Sequence, residues 1–170
     1  MVKNNQMHQH PHLAWHETME LHELTAFQTN QLQYFKMVVN NIADPQLKAL
    51  YLEAIKSLEH NLKELLQFYP KAPQWPQGAR HGKNPDMDLT PFYAGQLLGF
   101  TKTAVRSYAA SITETATPQL RETLTKQLNA AIQLHAKTFN FMLEKGFYPA
   151  YDLPKLLAND VANANRVLAL

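Results

Sequence analysis

The sequence predicts an all-α protein, a four-helix antiparallel bundle with a short fifth helix at the C-terminus. Three observations predict it. Apolar residues recur at intervals of three and four over long stretches instead of alternating. The ten prolines and five glycines fall almost entirely between those stretches. Three of the stretches open on the same signature, an acidic or hydroxyl residue followed by proline, which suits the cap and the first position of a helix.

The elements follow in order. Residues 1–12 read as a flexible, histidine-containing tail, and residues 13–170 as one helical-bundle domain. A first helix runs from about Leu13 to Ile42, with its stripe at Leu13, Leu21, Leu24, Phe27, Leu32, Phe35, Val38, Val39 and Ile42. Asp44 as cap and Pro45 at the first position start the second helix. Its apolar face is Leu47, Tyr51, Ile55, Leu58, Leu62, Leu65 and Tyr69, and it stops at Pro70. A long connection, residues 70–90, carries Pro73, Pro76, Gly78, Gly82 and Pro85. Thr90 and Pro91 start a third helix that continues to about Ile112. Thr117 and Pro118 start a fourth, with Leu120, Leu124, Leu128, Ala131, His135, Phe139 and Met142 facing inward and Gly146 as its C-cap. A tyrosine-rich turn, residues 147–152, leads to the short fifth helix from Pro154.

One internal echo bears on architecture. Asp44-Pro45-Gln46-Leu47-Lys48 matches Thr117-Pro118-Gln119-Leu120-Arg121. The flanking positions stay in register: Leu24 with Leu97, Phe27 with Phe100, Leu32 with Val105, Phe35 with Tyr108. The chain therefore reads as two helical hairpins joined by the long connection. Short turns within hairpins and a long link between them describe a ferritin-like bundle. About 10 extended residues suffice to cross ~30 Å, so the link is long enough to cross the bundle. Plain up-down-up-down order stays open as well.

Composition excludes several classes. The formal net charge is +2, and Lys and Arg form no stripe on any one helix, so the footprint of a nucleic-acid binder is missing. No window approaches ~18 consecutive apolar residues, so no membrane-spanning helix is expected. The first six residues lack the apolar core of a signal peptide. The absence of cysteine removes disulfides and thiolate chemistry together. These features fit a cytosolic origin.

Chemistry is sought first in His16-Glu17-Thr18-Met19-Glu20-Leu21-His22-Glu23. With Leu24 as the centre of the buried stripe and ~100° per residue, Glu17 lies about 20° and Glu20 about 40° off centre. Both carboxylates are then expected to be largely buried near one end of the bundle, flanked by His16 and Glu23. His135 falls on the buried stripe of the fourth helix. Glu17, Glu20, His135 and His16 are thus the candidate ligands for a single divalent metal ion, since bundles build metal sites from inward Glu and His. A di-iron centre demands Glu-x-x-His on two helices, and the chain contains no such motif. The acidic residues also suit the first turn of a helix, where its dipole favours them. A second cluster, His8, His10, His12 and His16, reads as a mobile tail with adventitious affinity for Ni, Cu or Zn. No nucleophile–base motif, phosphate-binding glycine loop or dinucleotide fingerprint is present.

The run from Leu13 to Leu24, Leu-Ala-Trp-His-Glu-Thr-Met-Glu-Leu-His-Glu-Leu, resembles the opening of the Coat F family of bacterial spore coat proteins. So do residues 44–48, residues 62–70 and residues 146–152, and the similarity spans about Leu13 to Asp152. The resemblance implies a ferritin-like helical fold and a role in or around the spore coat of an endospore-forming bacterium. It implies no catalytic activity. Two functional classes follow. The first is a structural or assembly protein of the sporulating cell, located in its cytoplasm or in the coat, with other coat or sporulation proteins as partners. The second is a ferritin-like metal-binding protein or oxidase that uses the acidic pocket. The C-terminal apolar stretch, Phe147 to Leu168, is expected either to cover its own bundle or to dock on a second copy as a homodimer.

Overall fold

Among the described residues, proline stands at the first or second position of every α-helix but the first. The computed structural model describes residues 12–75 and 88–170, so His8, His10 and the middle of the long connection lie outside the described residues. The order of crossing between the hairpins falls on that connection. Among the described residues there are five α-helices and no strand: α1 (Trp15–Val38), α2 (Pro45–Leu66), α3 (Thr90–Thr113), α4 (Pro118–Glu144) and α5 (Leu153–Leu168). Short 3-10 turns follow α1 at Val39–Asn41 and α2 at Tyr69–Lys71. The all-α class stands.

The caps refine the sequence reading. Asp44 caps α2 as expected, its Oδ1 accepting the Leu47 N–H at 2.8 Å. Thr117 precedes Pro118 in extended backbone but makes no side-chain cap bond; the residue before proline is pushed out of the helical region by sterics alone. Thr90 is not a cap. It is the first residue of α3, after Leu89, and its N–H is taken by Asp88 Oδ1 at 2.9 Å. The Thr90 hydroxyl first, and then this N–H, hold the Asp88 carboxyl below its ordinary range. At the end of α4, Gly146 adopts φ +72. Phe147 N–H reaches the Met142 carbonyl at 2.9 Å and Gly146 N–H the Leu143 carbonyl at 3.0 Å. This is a Schellman cap, and the left-handed residue at its centre favours glycine.

The chain forms two compact units. One comprises Met1–Gly82 with Leu153–Leu170, the other Lys83–Asp152. In the first, α1 packs on α2 and α5, and α5 also touches α2. Its core has two parts. Leu32, Val39, Ile55, Leu62, Ala164 and Val167 form one, with Phe35, Tyr51 and Leu58 against it. Leu21, Tyr69, Ala72 and Leu157 form the other, with Leu65, Trp75 and Val161 against it. α5 therefore spends its apolar face on its own chain, the first of the two arrangements expected for it. The second unit is the antiparallel hairpin of α3 and α4.

The phase of α1 departs most from expectation. Its buried residues are Thr18, Leu21, His22, Thr25, Thr29, Leu32 and Gln33. Leu24, taken as the centre of the buried stripe, is 48% exposed, and Phe27 is 62% exposed. The helix carries two apolar stripes on nearly opposite sides, and the one that faces α2 and α5 is the more polar. The echo between hairpins nevertheless holds for exposure. Leu97 and Phe100, the counterparts of Leu24 and Phe27, are 43% and 63% exposed.

Candidate functional site

The rotation of α1 carries Glu17 and Glu20 to the surface, contrary to the expected burial. Glu17 Oε2 accepts the Ala14 N–H at 2.7 Å, closing the first turn of the helix. Glu20 lies 4.0 Å from His16 as an exposed (i, i+4) pair, an arrangement of little energetic weight. His135 is half-buried on α4, in the other compact unit. The acidic pair and its histidine neighbour thus have the local roles of capping and surface pairing. Among the described residues, no three His, Asp or Glu side chains gather into a group able to hold a metal ion.

The turn of α1 that exposes Glu20 buries His22. Its Nδ1 lies 2.7 Å from Oδ2 of Asp160 on α5. The same oxygen accepts the hydroxyl of Tyr69 at 2.9 Å. All three residues are inside the first unit: His22 and Asp160 are only 4% and 6% exposed, and Tyr69 is fully buried. One carboxylate oxygen therefore joins three segments, α1, the turn after α2, and α5. Local structure sets each member in place. Leu13 N–H binds the Lys71 carbonyl at 2.7 Å and fixes the 3-10 turn against the start of α1. Trp75 folds back so that its ring meets Tyr69 edge-on at 5.8 Å. Asp160 stands on the buried face of α5 beside Leu156, Leu157 and Ala164.

Burial dominates the electrostatics. Desolvation holds the Asp160 carboxyl above its ordinary range, although the bonds from His22 and Tyr69 pull it down. The Tyr69 phenol is pushed far above its usual value, first by burial and then by the Asp160 carboxylate. It stays a donor at every physiological pH. A second polar tie closes the other end of α5. Lys36 Nζ donates to the Val167 carbonyl at 2.9 Å and pairs with Glu59 at 2.7 Å, placing a cation on the C-terminal carbonyls of a helix. Two buried acceptors nearby on α1, Gln28 Oε1 and Thr29 Oγ1, make no hydrogen bond.

The arrangement fits a latch. The carboxylate is enclosed, with two donors on one oxygen. Sequence reasoning passed over all three members. Asp160 was the most legible, as an acid amid the apolar positions Leu156, Leu157, Val161 and Ala164. His22 was hidden by the choice of Leu24 as the stripe centre.

Comparison with known proteins points to the second unit. The family model described as Coat F domain matches residues 92–151, which fall within the α3–α4 hairpin and the turn after it. The residues of α1 and α2 that carry the resemblance lie outside the matched stretch. The chain is similar to the Spore coat protein F-like protein YraD of Bacillus subtilis (strain 168), with 31% identity over 77 residues, 45% of this chain and 78% of that protein. No solved structure matches.

Proposed function

The chain belongs to the Coat F family, and from that membership we propose that it is a structural protein of the bacterial spore coat, made in the cytoplasm of the sporulating cell and deposited on the spore. The observation that carries this reading is the coincidence of the family match, residues 92–151, with a compact unit of the fold, Lys83–Asp152. The hairpin is the shared module. The rest of the chain supplies a three-helix unit fastened by an internal polar latch. That division of labour suits a building block whose surfaces act and whose interior only holds. The enclosed His22–Asp160–Tyr69 cluster supports a structural reading, since it ties three segments of the unit together in its interior. Its partners in this reading are other coat proteins and further copies of the chain. No helix among the described residues is long and apolar enough to cross a membrane.

The test is localisation in an endospore-forming host. A fluorescent fusion should gather around the developing spore, and the protein should be recovered from purified spores by coat extraction. Diffuse fluorescence throughout sporulation, with no protein in the coat extract, would refute the proposal.

A further inference from the structure

A two-helix hairpin buries one stripe of each helix against the other and leaves the flanks open. In the second unit one flank is apolar. Tyr93, Leu97 and Phe100 on α3 and Leu120, Leu134 and Phe141 on α4 are all exposed, Phe100 the most at 63%, and Leu120, expected to face inward, is half exposed at the start of its helix. At ~100° per residue the three on each helix fall within an arc of about 60°. Because α4 runs antiparallel to α3, the two arcs lie on the same side of the plane through both helix axes. No charged residue of either helix falls within them. Lys102 and Arg106 lie more than ~140° round α3, and Arg121 about 130° round α4. The hairpin therefore has one side free of charged residues, where these six apolar side chains share the arcs with small and uncharged residues such as Ala104, Ser111 and Gln127, while Lys126, Lys137 and Glu144 lie on the outer edge of α4.

We propose that this face pairs with the same face of a second copy, two hairpins completing a four-helix bundle between chains. Three observations select that occupant. First, the family match spans the hairpin and stops at residue 151, one residue before the unit ends; a module shared in this form needs a core that it can build from itself. Second, an uncharged face is self-complementary, with no like charges to oppose across a two-fold axis. Third, its size is adequate. α3 has 24 residues, so the whole side of the hairpin measures ~36 Å by ~20 Å, about 700 Å², near the ~800 Å² per partner of a stable interface; the large apolar side chains of α3 occupy about a third of that length, from Tyr93 to Phe100. The pairing rests on the hairpin's own surface and holds wherever in the spore the chain resides.

The experiment is light scattering and sedimentation of the full-length chain, with circular dichroism on every variant. The expected result is a dimer that Phe100→Glu converts to monomer with helix content retained, weakening association at least ~100-fold by leaving a charge unpaired at the centre of the interface. Leu134→Gln, a milder change on the partner helix, should weaken it in the same direction. Ile132→Glu is the control, since Ile132 is 42% exposed but lies on the opposite side of the hairpin; it should leave the dimer intact. A monomeric wild type overturns the proposal, and so does a dimer that survives both Phe100→Glu and Leu134→Gln. Equal loss on Ile132→Glu also overturns it, because association would then not run through this face.

Discussion

Replacing Asp160 by alanine is the sharpest probe of the polar latch. The substitution removes the acceptor of two buried bonds, from His22 at 2.7 Å and Tyr69 at 2.9 Å. Each donor left unpaired in the interior costs about 1–3 kcal/mol. Relief of the carboxylate's own desolvation returns part of this, so the expected loss is about 2–5 kcal/mol, in line with breaking a buried pair from one side. Asp160→Asn behaves differently. Both bonds converge on one oxygen, and the amide carbonyl can take that position, so its cost should stay within about 1 kcal/mol. Urea unfolding followed by tryptophan fluorescence is the assay. Both tryptophans, Trp15 and Trp75, belong to the first unit, and Trp75 touches Tyr69, so the signal reports on the unit that contains the latch. An alanine variant losing less than ~1 kcal/mol, or an asparagine variant losing as much as the alanine one, would refute the reasoning.

Other expectations follow from the same structure. Desolvation raises the Asp160 carboxyl in the folded state, so its contribution is fully present below the unfolded value and is lost as pH rises through the folded one; wild type should gain stability relative to Asp160→Asn on acidification, and a slope of opposite sign in paired urea titrations would contradict this. Leu62, fully buried, should lose about 2–5 kcal/mol on mutation to Ala, whereas Leu24, 48% exposed, should lose less than about 1 kcal/mol, as checked by the same denaturation. Thr29→Val removes a buried hydroxyl that has no partner and should stabilise by about 1 kcal/mol; a loss of that size instead would mean that the hydroxyl is satisfied. Gly146→Ala meets no neighbour within 4 Å of the added carbon but keeps φ +72, so about 1 kcal/mol of backbone strain should appear as a lowered melting temperature.

Where helices begin and end was legible because local chemistry decides it. Pro45, Pro118 and Gly146 act through their own backbone, and no distant contact overrides them. The inward face of α2 was legible from Tyr51 onward, where Tyr51, Ile55, Leu58, Leu62 and Leu65 form one stripe leading to Tyr69, whereas Leu47 at the start of the helix is exposed. α1 was not. Leu24, Phe27 and Tyr34 line one side while Leu21 and Leu32 line another, and periodicity alone does not choose between two stripes. The structure gives α2 and α5 the side bearing Thr18, Thr25 and Thr29. The same choice decided the site. With Leu24 inside, Glu17 and Glu20 turn inward; with Leu21 and Thr25 inside, His22 does. Its partner lies 138 residues away, a pairing that no local pattern encodes.

That separation has a consequence for synthesis. The first unit is written in two pieces, its last helix following the whole of the hairpin module. As the chain leaves the ribosome, α1 and α2 emerge without α5, and α3 and α4 can pair while the groove that awaits α5 stands open. Closing a loop of that length carries an entropic term on the order of 4 kcal/mol, and it is recovered only when Leu156, Leu157, Asp160 and Val167 arrive together. A message truncated before residue 153 would therefore yield an intact family module attached to an unfinished helix pair, with His22 and Tyr69 left to water. The first unit thus attains its full set of contacts only once α5 has been translated.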